Sequence, residues 1–181
     1  MEKEILGLLP EIKKIKEKDL KKRVIMVWEE GINLGGWEIS DLEEIPFTLL
    51  LPDTKINLIQ HTRAVTMTAL KVAQELLNFY SSEIKINLDV IIAGGILHDV
   101  GKLLEYHKEK GKITKSSYGN KFRHPVSGSK LAWICGLPDD IVHIIYAHSH
   151  EGDNLHRSPE AIIVNHCDFI DFHIKKSLVE K

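Results

Sequence analysis

Cysteine is nearly missing from this chain. Cys135 and Cys167 are the only two in 181 residues, and neither belongs to a Cys-x-x-Cys pair. That excludes a disulfide framework and a thiolate metal knot, and leaves two buried free thiols in apolar helical settings, suited to a reducing compartment and not to nucleophilic chemistry. Long hydrophobic runs are also missing, since no stretch reaches the roughly 18 apolar residues that a membrane span needs. The opening Met1-Glu2-Lys3-Glu4 has no charged-then-apolar secretion signature, so a cytoplasmic protein without a membrane partner is expected. Excess charge of one sign is lacking too. Lys and Arg number 24 against 26 Asp and Glu, a net charge of -2, which provides no electrostatic footprint for duplex nucleic acid and favours a small-molecule partner. Strand signals are scarce, whereas apolar residues at three- and four-residue spacing cover most of the chain, so the fold class is all-α. With 43% hydrophobic and 28% charged residues, the composition is that of an ordinary globular protein whose length fits one domain.

The periodicity predicts a first helix over residues 10–30 that stops at Gly31. Its Lys-rich stretch 13–23 is interleaved with Ile12, Ile15, Leu20 and Val24, as on a solvated helix face. Gly35-Gly36-Trp37 and Ile45-Pro46-Phe47 then punctuate a loop, so that residues 1–50 form an N-terminal helical extension and residues 51–181 the main unit. A helix over 55–80 carries Leu58, Val65, Ala69, Val72 and Leu76 on one stripe, with His61 among them. A helix over 88–104 carries Ile91, Gly94, Gly95 and His98 on one side, the paired glycines admitting a close neighbour. The polar, Gly-punctuated residues 108–121 read as a mobile connection able to cover a substrate. Helices over 124–135 and 138–148 follow, and a last helix opens with Ser158 as N-cap and Pro159 in its first turn.

The chemistry concentrates at His98 and Asp99, side by side in Leu97-His98-Asp99-Val100-Gly101-Lys102. An adjacent imidazole and carboxylate can clasp one divalent cation, although such a pair also occurs as a solvated ion pair or a helix cap. Four further donors lie along the chain: His61, His124, His148 and Asp168. His148 shares a face with Ile141, Ile144 and Ile145 while His143 points away, and Asp168 lies on the stripe of Ala161, Val164 and Phe172. A carboxylate there is costly unless paired or metal-bound. Without a metal, His61 and Asp168 form a buried salt bridge, His124 is a helix-opening residue before Pro125, and His148 a satisfied histidine at a helix end.

The ordered set His61, His98-Asp99, His124, His148, Asp168, with its His-Asp-Val-Gly-Lys core, resembles the HD superfamily of metal-dependent phosphohydrolases over about residues 55–175. The resemblance implies a single-domain helical bundle in which His61, His98, Asp99 and Asp168 hold one divalent metal. His124 and His148 match positions that bind a second ion in two-metal members, with Asp99 bridging. It implies Fe, Mn, Co, Ni, Zn or Mg as the cation, and hydrolysis of a small phosphoester, a nucleotide or related phosphomonoester or phosphodiester, by a coordinated hydroxide. Asp99 and Lys102 are the catalytic candidates, and Lys102, Arg123, Arg157 and His150 the substrate-binding ones. His107, His156, His166 and His173 match no ligand position. Neither the adjacent histidines nor the Gly-Tyr-Pro of the cyclic di-GMP branch is present; His148-Ser149 and Arg157-Ser158-Pro159 stand instead. Trp28, Trp37, Tyr106 and Tyr118 read as core more readily than as base-stacking groups. Two other readings are a di-iron oxygenase of the same ligand arrangement, and a non-catalytic metal-binding module that docks a partner or a second copy, as a homodimer, through Ile5, Leu8, Leu9 and Ile12.

Overall fold

A computed structural model describes residues 1–52 and 54–179. Among the described residues the regular structure is eight α-helices, three short 3-10 turns and one short hairpin. The centre of the bundle is α4 (Leu88–Leu97), in which every residue from Val90 to Leu97 is buried, as expected for a helix apolar on all sides. It starts at Asn87, whose side chain accepts from the amides of Asp89 and Val90. α3 (Leu58–Tyr80), α7 (Asp139–Ala147) and α8 (Pro159–Val179) pack around it. The glycines of α4 permit this. A Cβ on Gly95 would come within 2.9 Å of the Thr66 Cα on α3, and one on Gly94 within 2.8 Å of Ile144 on α7. On α3 the inward stripe is Leu58, His61, Val65 and Ala69; the expected Val72 is exposed and Ala73 takes its place.

The helix expected over 88–104 is broken. α4 ends at Leu97, a tight turn follows, and α5 (Lys102–Glu105) is one turn long. Within that turn the Val100, Lys102 and Leu103 amides reach the carbonyls three residues back. Gly101 is there because the start of α6 (His124–Ile134) presses on it: a Cβ would overlap the His124 carbonyl.

The N-terminal helix also differs from expectation. α1 (Glu2–Leu8) is followed by a 3-10 turn over Pro10–Lys14, and only then by α2 (Lys18–Gly35). The chain is broken at Lys16 and Glu17, whose amides are both claimed by the Asp89 carboxylate at 3.0 and 2.8 Å. α2 runs through Gly31, a site of close approach to Leu103, and stops at Gly36, whose φ of 69° provides the left-handed cap. Ile5, Leu9 and Ile12 are buried in the same apolar core as α4, so they are not a free docking face. The lysines at 13, 14, 16 and 18 are solvated.

Residues 106–115 correct the expected mobile connection. They form an antiparallel hairpin, β1 (Tyr106–Glu109) and β2 (Lys112–Lys115), whose two-residue turn Lys110-Gly111 has φ of 50° and 77°. Lys108 pins it to the segment before α3 by ion pairs to Asp41 at 2.8 Å and Glu44 at 2.7 Å. Trp28 is core, Trp37 is buried and donates to the Leu103 carbonyl at 2.7 Å, and Tyr118 packs on Phe122. No described helix is long and apolar enough to cross a membrane.

Candidate metal centre

The turn between α4 and α5 delivers His98 and Asp99 into the interior, where both are buried. α3 brings His61 to them, α6 brings His124 from its first position, the residue after α7 is His148, and α8 supplies Asp168. The result is centred on one carboxylate with two faces. Asp99 Oδ2 lies 3.3 Å from His61 Nε2 and 3.4 Å from His98 Nε2; Oδ1 lies 3.2 Å from His124 Nε2 and 3.7 Å from His148 Nε2. Asp168 joins through Oδ1, 3.1 Å from His61 Nε2. Two triads therefore share Asp99: His61, His98, Asp99 and Asp99, His124, His148, each with donor atoms within 4.8 Å of one another.

The outer nitrogens define what the inner ones present. Nδ1 of His98 meets the Gly95 carbonyl at 2.7 Å and Nδ1 of His148 the Ile145 carbonyl at 2.7 Å. A carbonyl only accepts, so both Nδ1 atoms carry the proton and both Nε2 atoms turn bare lone pairs inward. His61 Nδ1 sits 2.7 Å from Asp171 Oδ2, and His124 Nδ1 2.6 Å from Glu105 Oε2, which orients those rings in the same way. Glu105 also accepts from the His124 amide at 2.7 Å and so fixes the start of α6.

This donor set fits divalent cations. His148 Nε2 is buried with no hydrogen-bond partner, and His61 and His98 point Nε2 atoms at each other across 3.3 Å. Opposed lone pairs at that distance are stabilised by positive charge between them. The surroundings of His61 favour positive charge at this point: burial pulls its imidazole down, yet Asp168, Asp171 and Asp99 outweigh it and raise it to about 10, so that a proton takes the inner nitrogen wherever a cation does not. Asp168 is pushed up by burial but held at about 2 by His61 and His98. Asp99 lies well below the usual carboxylate range, because Lys102, His98 and the other imidazoles overcome its burial. His124, in contrast, is lowered to about 4, since burial outweighs Glu105 and Asp99. An imidazole and carboxylate set without sulfur suits hard or intermediate cations.

Lys102 is buried beside the centre, its ammonium 2.5 Å from Asp99 Oδ2 and also donating to the Phe47 carbonyl. A cavity of about 460 Å³ opens above the cluster. Arg123 and His150 stand at its edge; Arg123 pairs with Glu151 at 2.8 Å, and His150 with Asp153 at 3.0 Å. Arg157 is not brought in. Its guanidinium is spent on the Ala147 carbonyl at 2.7 Å and the Ser149 carbonyl at 3.0 Å, so it braces the loop after α7. The structure adds three residues that the sequence pattern did not single out: Asp171 and Glu105 behind the histidines, and Lys115 at the rim, 3.5 Å from Glu105. Only Asp171 left a trace, standing one helical turn after Asp168.

A helical bundle that folds four histidines and two aspartates from five segments around a shared carboxylate has the make-up of a protein that could hold divalent cations at its centre. The model of the HD domain family matches residues 58–172, and the chain belongs to that family. Over 122 residues it is 35% identical to the dihydroneopterin 2′,3′-cyclic phosphate phosphodiesterase of Methanocaldococcus jannaschii, a match covering 65% of this chain and 47% of the relative. It is 29% identical over 112 residues to ribonuclease Y of Thermotoga petrophila and of Thermotoga maritima, covering 62% of this chain and 18% of each relative. The matches thus span less than half the length of these curated relatives. No solved structure matches the chain.

Proposed function

We propose that this chain is a metal-dependent phosphohydrolase that cleaves a small phosphoester, with two divalent cations held on either side of Asp99. The observation that carries this reading is the division of the Asp99 carboxylate, Oδ2 facing His61 and His98 and Oδ1 facing His124 and His148. Both kinds of relative bear names for phosphate-ester cleavage, a cyclic phosphate phosphodiesterase and a ribonuclease. Cations in the two triads would supply Lewis acidity toward phosphate oxygens and bring the acidity of a bound water near neutrality. The rest is the work of the chain. Lys102 fixes the Asp99 carboxylate and places a buried positive charge beside the cluster, where the extra charge of a phosphoryl transition state develops. Glu105, Asp171 and the carbonyls of Gly95 and Ile145 hold the four imidazoles with their inner lone pairs free. Arg123 and Lys115, at the rim, exchange their carboxylate partners for phosphate oxygens when substrate enters.

The test is hydrolysis of bis(p-nitrophenyl) phosphate and of nucleotides by protein loaded with Mn²⁺, Fe²⁺, Co²⁺, Ni²⁺, Zn²⁺ or Mg²⁺. Turnover is expected with at least one cation, should vanish with chelator, and should fall to background in Asp99→Ala. His143→Ala, outside the centre, should retain both cation binding and turnover. Turnover indifferent to chelator and to Asp99→Ala would refute the reading, and oxygen consumption by iron-loaded protein without phosphate release would replace it with the oxygenase.

A further inference from the structure

The wall of the cavity is divided by chemistry in a way that phosphate cleavage alone does not require. A series of ring contacts begins on a ligand: Phe47 lies on His61 with centroids 4.9 Å apart and meets Phe172 at 6.3 Å. His173, at 5.8 Å from Phe172 and 5.4 Å from Phe169, backs both rings, and Phe169 reaches His150 at 5.5 Å. Phe47, Phe172, Phe169 and His150 all line the cavity. Beyond His150 the character changes to cations, first Arg123 through Glu151, then Lys115 beside Glu105. Phosphate and water gain nothing from an aromatic arc; the face of a flat ring does, by stacking and by removal of apolar surface from water. Phe47 precedes residue 58, where the family match begins, so part of this arc is contributed by a segment outside that match.

Resting on the hydrolase reading of the same site, we propose that Phe172, Phe169 and His150, backed by the buried Phe47, form a recognition surface for a planar aromatic ring in the substrate. The substrate class is then a phosphate ester carrying a heterocycle, such as a nucleoside cyclic phosphate or a nucleotide. Its phosphate lies between the Asp99 cluster and the Lys115 and Arg123 side chains. The cavity, about 460 Å³, lies within the size range of small-molecule sites, roughly 300–1,000 Å³. Thr48 and Ser149, which also line it, offer hydroxyls to the polar edge of such a ring.

The experiment compares two five-membered cyclic phosphodiesters, 2′,3′-cyclic AMP and glycerol 1,2-cyclic phosphate, on the cation-loaded full chain, its Phe169→Ala variant and its Phe169→Tyr variant. Phe169 is only partly buried, and both variants are checked for native helicity. The wild type should favour the nucleoside ester in kcat/KM. Phe169→Ala should cut that preference by about tenfold or more, mainly through KM, the scale of one base stacked on one ring, and Phe169→Tyr should restore it. Equal kcat/KM for the two esters, or a preference unmoved by Phe169→Ala, overturns the proposal and leaves the hydrolase reading standing. If neither ester is cleaved, the hydrolase reading still stands or falls on the bis(p-nitrophenyl) phosphate and nucleotide assays above. Binding of 2′,3′-cyclic AMP followed by NMR then decides the arc, with weaker binding in Phe169→Ala supporting it and equal binding overturning it.

Discussion

Glu105 and Asp171 touch no position expected for a cation, yet each holds a histidine ring by its outer nitrogen. Removing such a partner lets the ring rotate and lowers the basicity of the inner nitrogen, which typically costs 10–100-fold in metal affinity. Glu105→Gln and Asp171→Asn should therefore weaken cation binding by about that factor, as read by competition with a fluorescent chelator, with helicity unchanged. Full affinity in both variants would reduce these carboxylates to packing. Cys167 gives a prediction of the opposite kind. Burial, with Asp168 next to it, pushes its thiol up to about 11, so at pH 8 the folded chain holds almost no Cys167 thiolate. Iodoacetamide should label it far more slowly in native protein than in urea, as counted by peptide mass spectrometry; equal rates would show that the α8 packing is looser than described.

Among the elements, helices with a continuous apolar stripe were legible in the sequence, and those interrupted by tertiary contacts were not. The stripe of Leu58, His61, Val65 and Ala69 marks α3 and turns its histidine inward, and the face shared by Ile141, Ile144, Ile145 and His148 does the same for α7. The break after Leu97 left no such mark, because Val100 and Leu103 continue the apolar spacing past His98 and Asp99 and only the close approach of α6 to Gly101 sets the bend. Gly31 looked like a stop and is a packing site, while the true stop, Gly36, lies five residues later. The hairpin had one overt cue, Lys110-Gly111, hidden in a polar stretch without alternation. Glycine roles can be separated by experiment. Gly7, in α1, has nothing within 4 Å of an added Cβ, so Gly7→Ala should stabilise the fold by about 0.5–1 kcal/mol through helix propensity. Gly95→Ala must displace the Thr66 backbone and should destabilise by about 1–3 kcal/mol. Urea unfolding reads both, and the same sign for the two would contradict the packing of α3 on α4.

For the molecule as a whole, the extension and the HD unit share one apolar core, which joins Ile5, Leu9 and Ile12 to Ile91 and Ile96. That joint core explains why the cavity is not built by the family-matched residues alone: the chain returns from α2 through Phe47 to the Lys102 ammonium before α3 begins. The proposed ligand residues were readable as types and order in the sequence: His61, His148 and Asp168 from their apolar stripes, His98-Asp99 from the dipeptide, and His124 through the family resemblance. Their convergence on the two oxygens of a single carboxylate depends on how five segments pack, and no local pattern encodes it. That convergence is the central claim, and equilibrium dialysis against Mn²⁺ followed by elemental analysis tests it most directly. Two ions per chain are expected for the wild type, one for His148→Ala, which empties only the Oδ1 side, and none for Asp99→Ala. A wild type that holds no ion, or a stoichiometry that His148→Ala leaves unchanged, would contradict a centre divided across Asp99.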